Sequence, residues 1–177
     1  MNKGLITNIG VMAFFTAAGS VAFALIGFPL AGFVWALFAG FTITTTVPHE
    51  PKHLPNLLAS QAAGWFWAMI MYYVTLAVVK VTGVFALGLF VAIFFGSIFL
   101  LIVHIAILGK SWFNVLPMIY TPIFCWFATQ DFSKIIYIVI GLTTGSVLVV
   151  LSGVLTGIIL GAKEEEELSA KTTVRQG

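Results

Sequence analysis

Charge is what this chain has least of. Asp, Glu, Lys and Arg make up 8% of its 177 residues, whereas a soluble globular domain carries about 25%. So few charges cannot cover a globule in water. A mean hydropathy of +1.11 points instead to lipid as the solvent for most of the surface. Acid is scarcest: six residues, at Glu50, Asp131 and Glu164 to Glu167. None of them lies in an apolar run. Membrane proton and sodium pumps usually depend on buried ionisable groups, and metal-dependent enzymes need clustered His, Asp or Glu. The composition speaks against both, and no metal or other cofactor is expected. One cysteine, Cys125, excludes an internal disulfide. A net charge of +2 without a basic patch leaves nothing to neutralise phosphates, so nucleic acid is not an expected partner. No nucleophile–base pair, Gly-rich phosphate loop or haem box is present, and the chain reads as a non-enzyme.

Proline is also scarce, yet three of the six prolines fall in one stretch, Thr44 to Asn56, "TTTVPHEPKHLPN". The same stretch holds His49, Glu50, Lys52 and His53. It interrupts an otherwise apolar sequence.

What is abundant is long hydrophobic runs. Crossing ~30 Å of hydrocarbon takes about 20 apolar residues in a helix. Six segments are candidates: Gly4 to Gly27, Leu30 to Val47, Asn56 to Val79, Val84 to Leu108, Asn114 to Thr129 and Ile135 to Gly161. They are apolar all round rather than alternating, so they read as helices and not as barrel strands. Lys3, an apolar run and "AFA" at Ala22 to Ala24 give the first segment some look of a secretory signal, but the run is too long for a signal core. The expectation is an all-α polytopic membrane protein with six transmembrane helices in a single domain over 1–162. A polar cytoplasmic tail over 163–177 is expected to fray.

Basic residues set the orientation. With the N-terminus in the cytoplasm, Lys3, Lys52, Lys110, Lys163, Lys171 and Arg175 lie inside and Lys80 and Lys134 outside. Both termini are then cytoplasmic, and an even number of spans is required.

The two halves are similar in plan. The first has a short segment rich in Phe and Thr, Phe38 to Thr46, and the second one rich in aromatics, Tyr120 to Thr129; in each a polar loop and a long helix with small residues follow. Repeat 1 covers about 4–80 and repeat 2 about 84–161. Three helices per unit is an odd number, so the second unit must be inverted, as in many transporters. In such folds the site lies at short or Pro-interrupted segments in matching positions. Here those are the second segment, with Thr44 and Thr45, and the fifth, with Asn114, Tyr120 and Thr121 between and around Pro117 and Pro122. Lys52 at the loop and Asn56 and Gln61 at the following helix start would favour a negative or strongly dipolar solute. Lys52 is equally read as a topology anchor. Trp67 in mid-span and His104, the one ionisable group in a span, complete the candidate solute-binding or pore-lining set. The plainer reading of His104 is an interfacial histidine bonded to water or a backbone carbonyl. His49 and His53 have i, i+4 spacing, but Pro51 between them argues against a metal site. Gly141, Gly145, Gly153, Gly157 and Gly161 form a small-residue stripe that invites close helix packing, within the chain or with another subunit.

Pro48, Lys52, Gly64-x-x-Trp67-Ala68 and the block "FNVLPMIYTPIFCWFATQDF" together resemble a family of small bacterial inner-membrane proteins, the one that includes YcdZ. The resemblance covers about two thirds of the chain, from Phe33 onward. It departs from the family's glycines after the proline at His49, Glu50 and Pro51. It implies a polytopic protein of the bacterial inner membrane and brings no substrate with it.

The resulting expectation is a passive channel or facilitator for a small neutral or weakly charged solute, embedded in the lipid bilayer as a homo-oligomer. The alternative is a non-transporting scaffold or accessory subunit that packs against a larger membrane partner. Reporter fusions at the two termini check the topology. Both are expected to report cytoplasm, and reports from opposite sides would reject the even span count.

Overall fold

The computed structural model is all-helical and describes residues 3–48, 50–129 and 131–175, with side chains placed for 4–48, 50–129, 131 and 133–161. Six α-helices follow in order: α1 (Lys3–Ile26), α2 (Val34–Thr45), α3 (Leu54–Thr82), α4 (Phe85–Leu101), α5 (Leu116–Thr129) and α6 (Ile135–Arg175). Short 3-10 turns at Leu30–Phe33, Pro51–His53 and Phe132–Lys134 lead into α2, α3 and α6, and a π-helical turn, Ile102–Ile107, extends α4.

Four helices are long and apolar enough to cross a membrane: Gly4–Ile26, Pro51–Thr82, Phe85–Ile107 and Ile135–Gly161. On that ground the chain is an integral membrane protein. The other two apolar helices, Leu30–Thr45 and Leu116–Thr129, are shorter. At ~1.5 Å per residue the 14 residues of α5 rise only ~21 Å. The six expected helices thus comprise four long ones and two short ones, the short ones at the second and fifth segments. α6 continues as helix through Arg175, into the segment read as a polar tail.

The ends have local causes. Gly27 and Gly83 adopt positive φ (84° and 72°), which stops α1 and α3 and allows tight turns into the next helix. Prolines at the starts of the Pro51–His53 turn and α3 occupy positions where a missing N–H costs nothing. Lys80 lies in the last turn of α3, where the carbonyl end of the helix favours a cation.

Packing does not follow chain order. α6 lies against α1 and α2, while α3 lies against α4 and α5. Two three-helix bodies result, each completed by the third helix of the other half. Contact between the bodies is thinner and runs through α2 with α5, α3 with α6 and α5 with α6. Only two connections cross from one body to the other, the stretch between α2 and α3 and the stretch between α5 and α6. Each carries an exposed ion pair, Lys52 to Glu50 at 2.6 Å and Lys134 to Asp131 at 3.1 Å.

Glycine permits the closest approaches. A Cβ on Gly145 would strike the Leu37 carbonyl, one on Gly40 the Leu142 carbonyl, and one on Gly64 the Ile119 carbonyl. The first glycines of the α6 stripe thus serve α2 of the same chain. Gly157 and Gly161, further along, face open space. Gly64→Val and Gly145→Val are expected to cost at least about 1–3 kcal/mol through overpacking, whereas Gly157→Ala should be neutral or slightly stabilising. Thermal unfolding in detergent checks this; equal effects at the three positions would contradict the packing.

Candidate functional site

Among lipids a buried polar group must find its partner inside the protein. Two clusters of such groups mark the interior.

The first joins all four central helices at one level. Gln61 of α3 donates from Nε2 to Ser146 Oγ of α6 at 2.8 Å and lies 3.6 Å from Met118 Sδ of α5. Thr44 Oγ1 of α2 is 2.9 Å from Ser146 Oγ and 2.7 Å from the Gly40 carbonyl, to which it can donate. Ser146 Oγ is also 3.1 Å from the Leu142 carbonyl. The single hydroxyl proton of Thr44 has two acceptors in reach, the Gly40 carbonyl and Ser146 Oγ, so it can exchange between them without leaving the cluster. All four side chains are buried. Leu57, Met118 and Val150 form an apolar layer beside them. Beyond it, Val47, Pro48, Glu50, Pro51, Val150 and Gly153 line a pocket of about 380 Å³ that opens outward.

The second cluster is centred on His104 in the π-helical turn. Trp67 Nε1 donates to His104 Nε2 at 3.1 Å, and His104 Nδ1 is 3.0 Å from Asn114 Oδ1. Asn114 Nδ2 in turn donates to the His104 carbonyl at 2.6 Å. An indole only donates, so Nε2 must hold the lone pair and Nδ1 the proton. This places a neutral histidine with one tautomer. At 2% exposure His104 is buried, and its side-chain partners are an indole and an amide. The π-turn, which sequence periodicity did not announce, widens the helix where the imidazole enters.

The remaining candidates stand apart. Thr45 is half-buried and donates to the Thr42 carbonyl at 2.6 Å. Thr121 is buried and donates to the Pro117 carbonyl at 2.7 Å. Tyr120 stacks on Phe124 at 6.0 Å. Asn56 contributes its carbonyl to Ser60 Oγ at 2.7 Å. Lys52 is 69% exposed and paired with Glu50. His49 lies outside the described residues, so the His49–His53 pair is not placed. Among the described residues no group of three or more His, Cys, Asp or Glu could hold a metal. On the opposite connection, hydrogen bonds from Ser133 and then Lys134 hold the Asp131 carboxyl below the usual carboxylate range. The contribution of that turn is complete above the ordinary carboxylate pKa and is lost as pH falls through the lowered one.

Two residues were missed. Ser146 bonds both Thr44 and Gln61, and Ser60 Oγ accepts from the Val115 backbone N–H at 3.1 Å, tying α3 to the start of α5. Ser146 follows Gly145 but lies about 100° round the helix from it, so neither its burial nor its partners were legible from the glycine stripe.

No family model, curated protein or solved structure matches the chain. Trp67→Phe and Asn114→Ala are expected to cost about 1 kcal/mol each. Because both act through His104, the double variant should cost less than the sum. Thermal unfolding of the four proteins completes the cycle, and simple additivity would show that the three residues do not act as one unit.

Proposed function

We propose that the protein is a passive membrane facilitator for a small neutral or weakly charged solute, built as a 3+3 inverted repeat whose path follows the seam between the two bodies. The observation that carries this reading is a recurrence of burial. Each buried residue of α3 (Leu57, Ser60, Gln61, Gly64, Ala68, Met71, Thr75) has a buried counterpart 81 residues later in α6, from Ile138 to Thr156. Each buried residue of α2 has one 82 residues later in α5: Ala36 with Met118, Leu37 with Ile119, Gly40 with Pro122, Phe41 with Ile123, Thr44 with Trp126. Gly19 and Phe23 of α1 correspond to Leu100 and His104, 81 residues on.

Helical periodicity could align one pair of helices by phase alone. It does not explain three pairs at nearly one spacing, nor matching contacts. Gly145 meets the Leu37 carbonyl as Gly64 meets the Ile119 carbonyl. The 3-10 turn Pro51–His53 corresponds to Phe132–Lys134, and the acid of one ion pair, Glu50, to that of the other, Asp131. The sense is inverted. Leu57 packs with Val150, Gln61 bonds Ser146, and Trp65 packs on the cluster containing Leu142, so position rises along α3 as it falls along α6.

In inverted-repeat carriers the site lies between repeats at discontinuous or short helices, and access alternates by rocking of rigid bodies. Here the short helices α2 and α5 meet at the seam, and the two ion-paired connections are the natural hinges. The stretch Thr44 to Asn56 would form one hinge and the mouth beside it. The basic residues favour a cytoplasmic placement for that mouth, and the likeness carried by Pro48, Lys52, Gly64, Trp67 and Ala68 favours the inner membrane.

The absence of any unpartnered buried side-chain nitrogen or oxygen among the described residues favours a second reading, a membrane scaffold that docks on a partner through the glycine stripe. Gly141 and Gly145 are already occupied by α2, which leaves only the far part of the stripe for a partner and weakens that reading. A homo-oligomer remains the expected assembly of the facilitator, and purification as a monomer that needs another protein would favour the scaffold. The decisive measurement is stopped-flow swelling of proteoliposomes with a panel of small solutes. At least one uncharged solute is expected to enter faster than into empty vesicles; equal rates for the whole panel would reject the facilitator.

A further inference from the structure

The seam is polar at one end and aromatic at the other. At the polar level lie Thr44, Gln61, Met118 and Ser146, none more than 3% exposed. The residues at the corresponding positions, at the same spacings of 82 and 81, are Trp126, Leu142, Ala36 and Trp65. They also come together. Trp65 and Trp126 approach with ring centroids 6.2 Å apart, and Trp65 packs on the cluster that contains Ala36 and Leu142.

The molecule therefore contains its own control. Equivalent backbone positions in the other orientation are filled by apolar side chains, and that level packs well. The fold does not require an amide and two hydroxyls at the first level, and burying them within membrane-spanning helices is expensive unless they are used. No charged residue belongs to either level, so an ion would shed its water without a countercharge and then face two indoles. The amide and hydroxyls offer donors and acceptors together, with the Met118 thioether as an apolar wall. The bond from Gln61 to Ser146 is also the one that ties the two bodies at this level. A molecule that took over both its donor and its acceptor role would part the seam there.

We infer that Thr44, Gln61 and Ser146 form a binding site for a small uncharged molecule bearing both hydrogen-bond donors and acceptors, of the amide, urea or polyol class, and that Trp65 and Trp126 are the barrier at its far end. The molecule enters from the outward-open pocket under Pro48 and Pro51, past Val47 and Val150. The site rests on the facilitator reading and narrows it to one solute class.

The test uses the full chain in proteoliposomes with urea, acetamide and glycerol as uncharged probes and formate and methylammonium as charged ones. Thermal unfolding in detergent reports folding. Gln61→Leu, which copies the residue found at Leu142, should fold and lower uncharged flux about tenfold, the effect of one lost hydrogen bond of about 1.4 kcal/mol. Ser146→Ala and Thr44→Val, which each remove one oxygen, should act in the same direction and serve if Gln61→Leu does not fold. Trp126→Ala should raise flux. If the unaltered protein moves an uncharged probe and all three polar variants keep that rate, this site is wrong while the facilitator stands. If charged probes pass as fast as uncharged ones, the assigned class is wrong. If the unaltered protein matches empty vesicles, the facilitator reading and this site fall together.

Discussion

The close approach of α6 to α2 and of α3 to α5 is the constraint on which the rest of the molecule depends. Lipid offers little hydrophobic drive for one apolar helix to choose another, so association rests on van der Waals packing and interhelical hydrogen bonds. Gly40, Gly64, Gly141 and Gly145 let backbone meet backbone at these two crossings. The crossings seat the two short helices against the long ones, each keeping one exposed face, at Trp35 and Phe38 of α2 and Phe124 of α5. They also draw the third helix of each half into the opposite body, so the halves cannot separate without breaking their own packing.

Once the crossings are made, interior polar groups have few places to go. Gln61, Ser146 and Thr44 meet because α3, α6 and α2 meet. His104 finds Trp67 and Asn114 because the π-turn at the end of α4 rests against α3 and the loop before α5. Among the described residues no buried side-chain nitrogen or oxygen lacks a partner. The two clusters differ in consequence. The histidine cluster lies within one body and fixes it. The Gln61–Ser146 bond lies between bodies, where a change of partner could be transmitted to both connections.

Much of this was legible beforehand. The six apolar segments matched the six helices within a few residues at most ends, because uninterrupted hydrophobicity and Gly or Pro at the breaks act locally. The hydroxyls of Thr44, Thr45 and Thr46 bond carbonyls of their own helix, as short polar side chains in apolar helices do. The likeness to an inner-membrane family rests on the quoted residues alone, since no family model matches. Less legible were the π-turn, the continuation of α6 through the charged tail, and the burial of His104. The π-turn and the burial of His104 depend on what packs nearby rather than on the segment's own pattern.

The sequence by itself determined the solvent, the helical class, the helix ends and the absence of acid from the apolar segments, because hydropathy and turn chemistry are read residue by residue. Only the tertiary structure decided that α3 and α6 change places between the bodies. Only it decided that Ser146 is the hub of the polar level and that Trp65 meets Trp126. Those outcomes turn on which helix lies beside which, and a set of helices that are apolar on every side carries no facing signal in its sequence from which partners could be assigned.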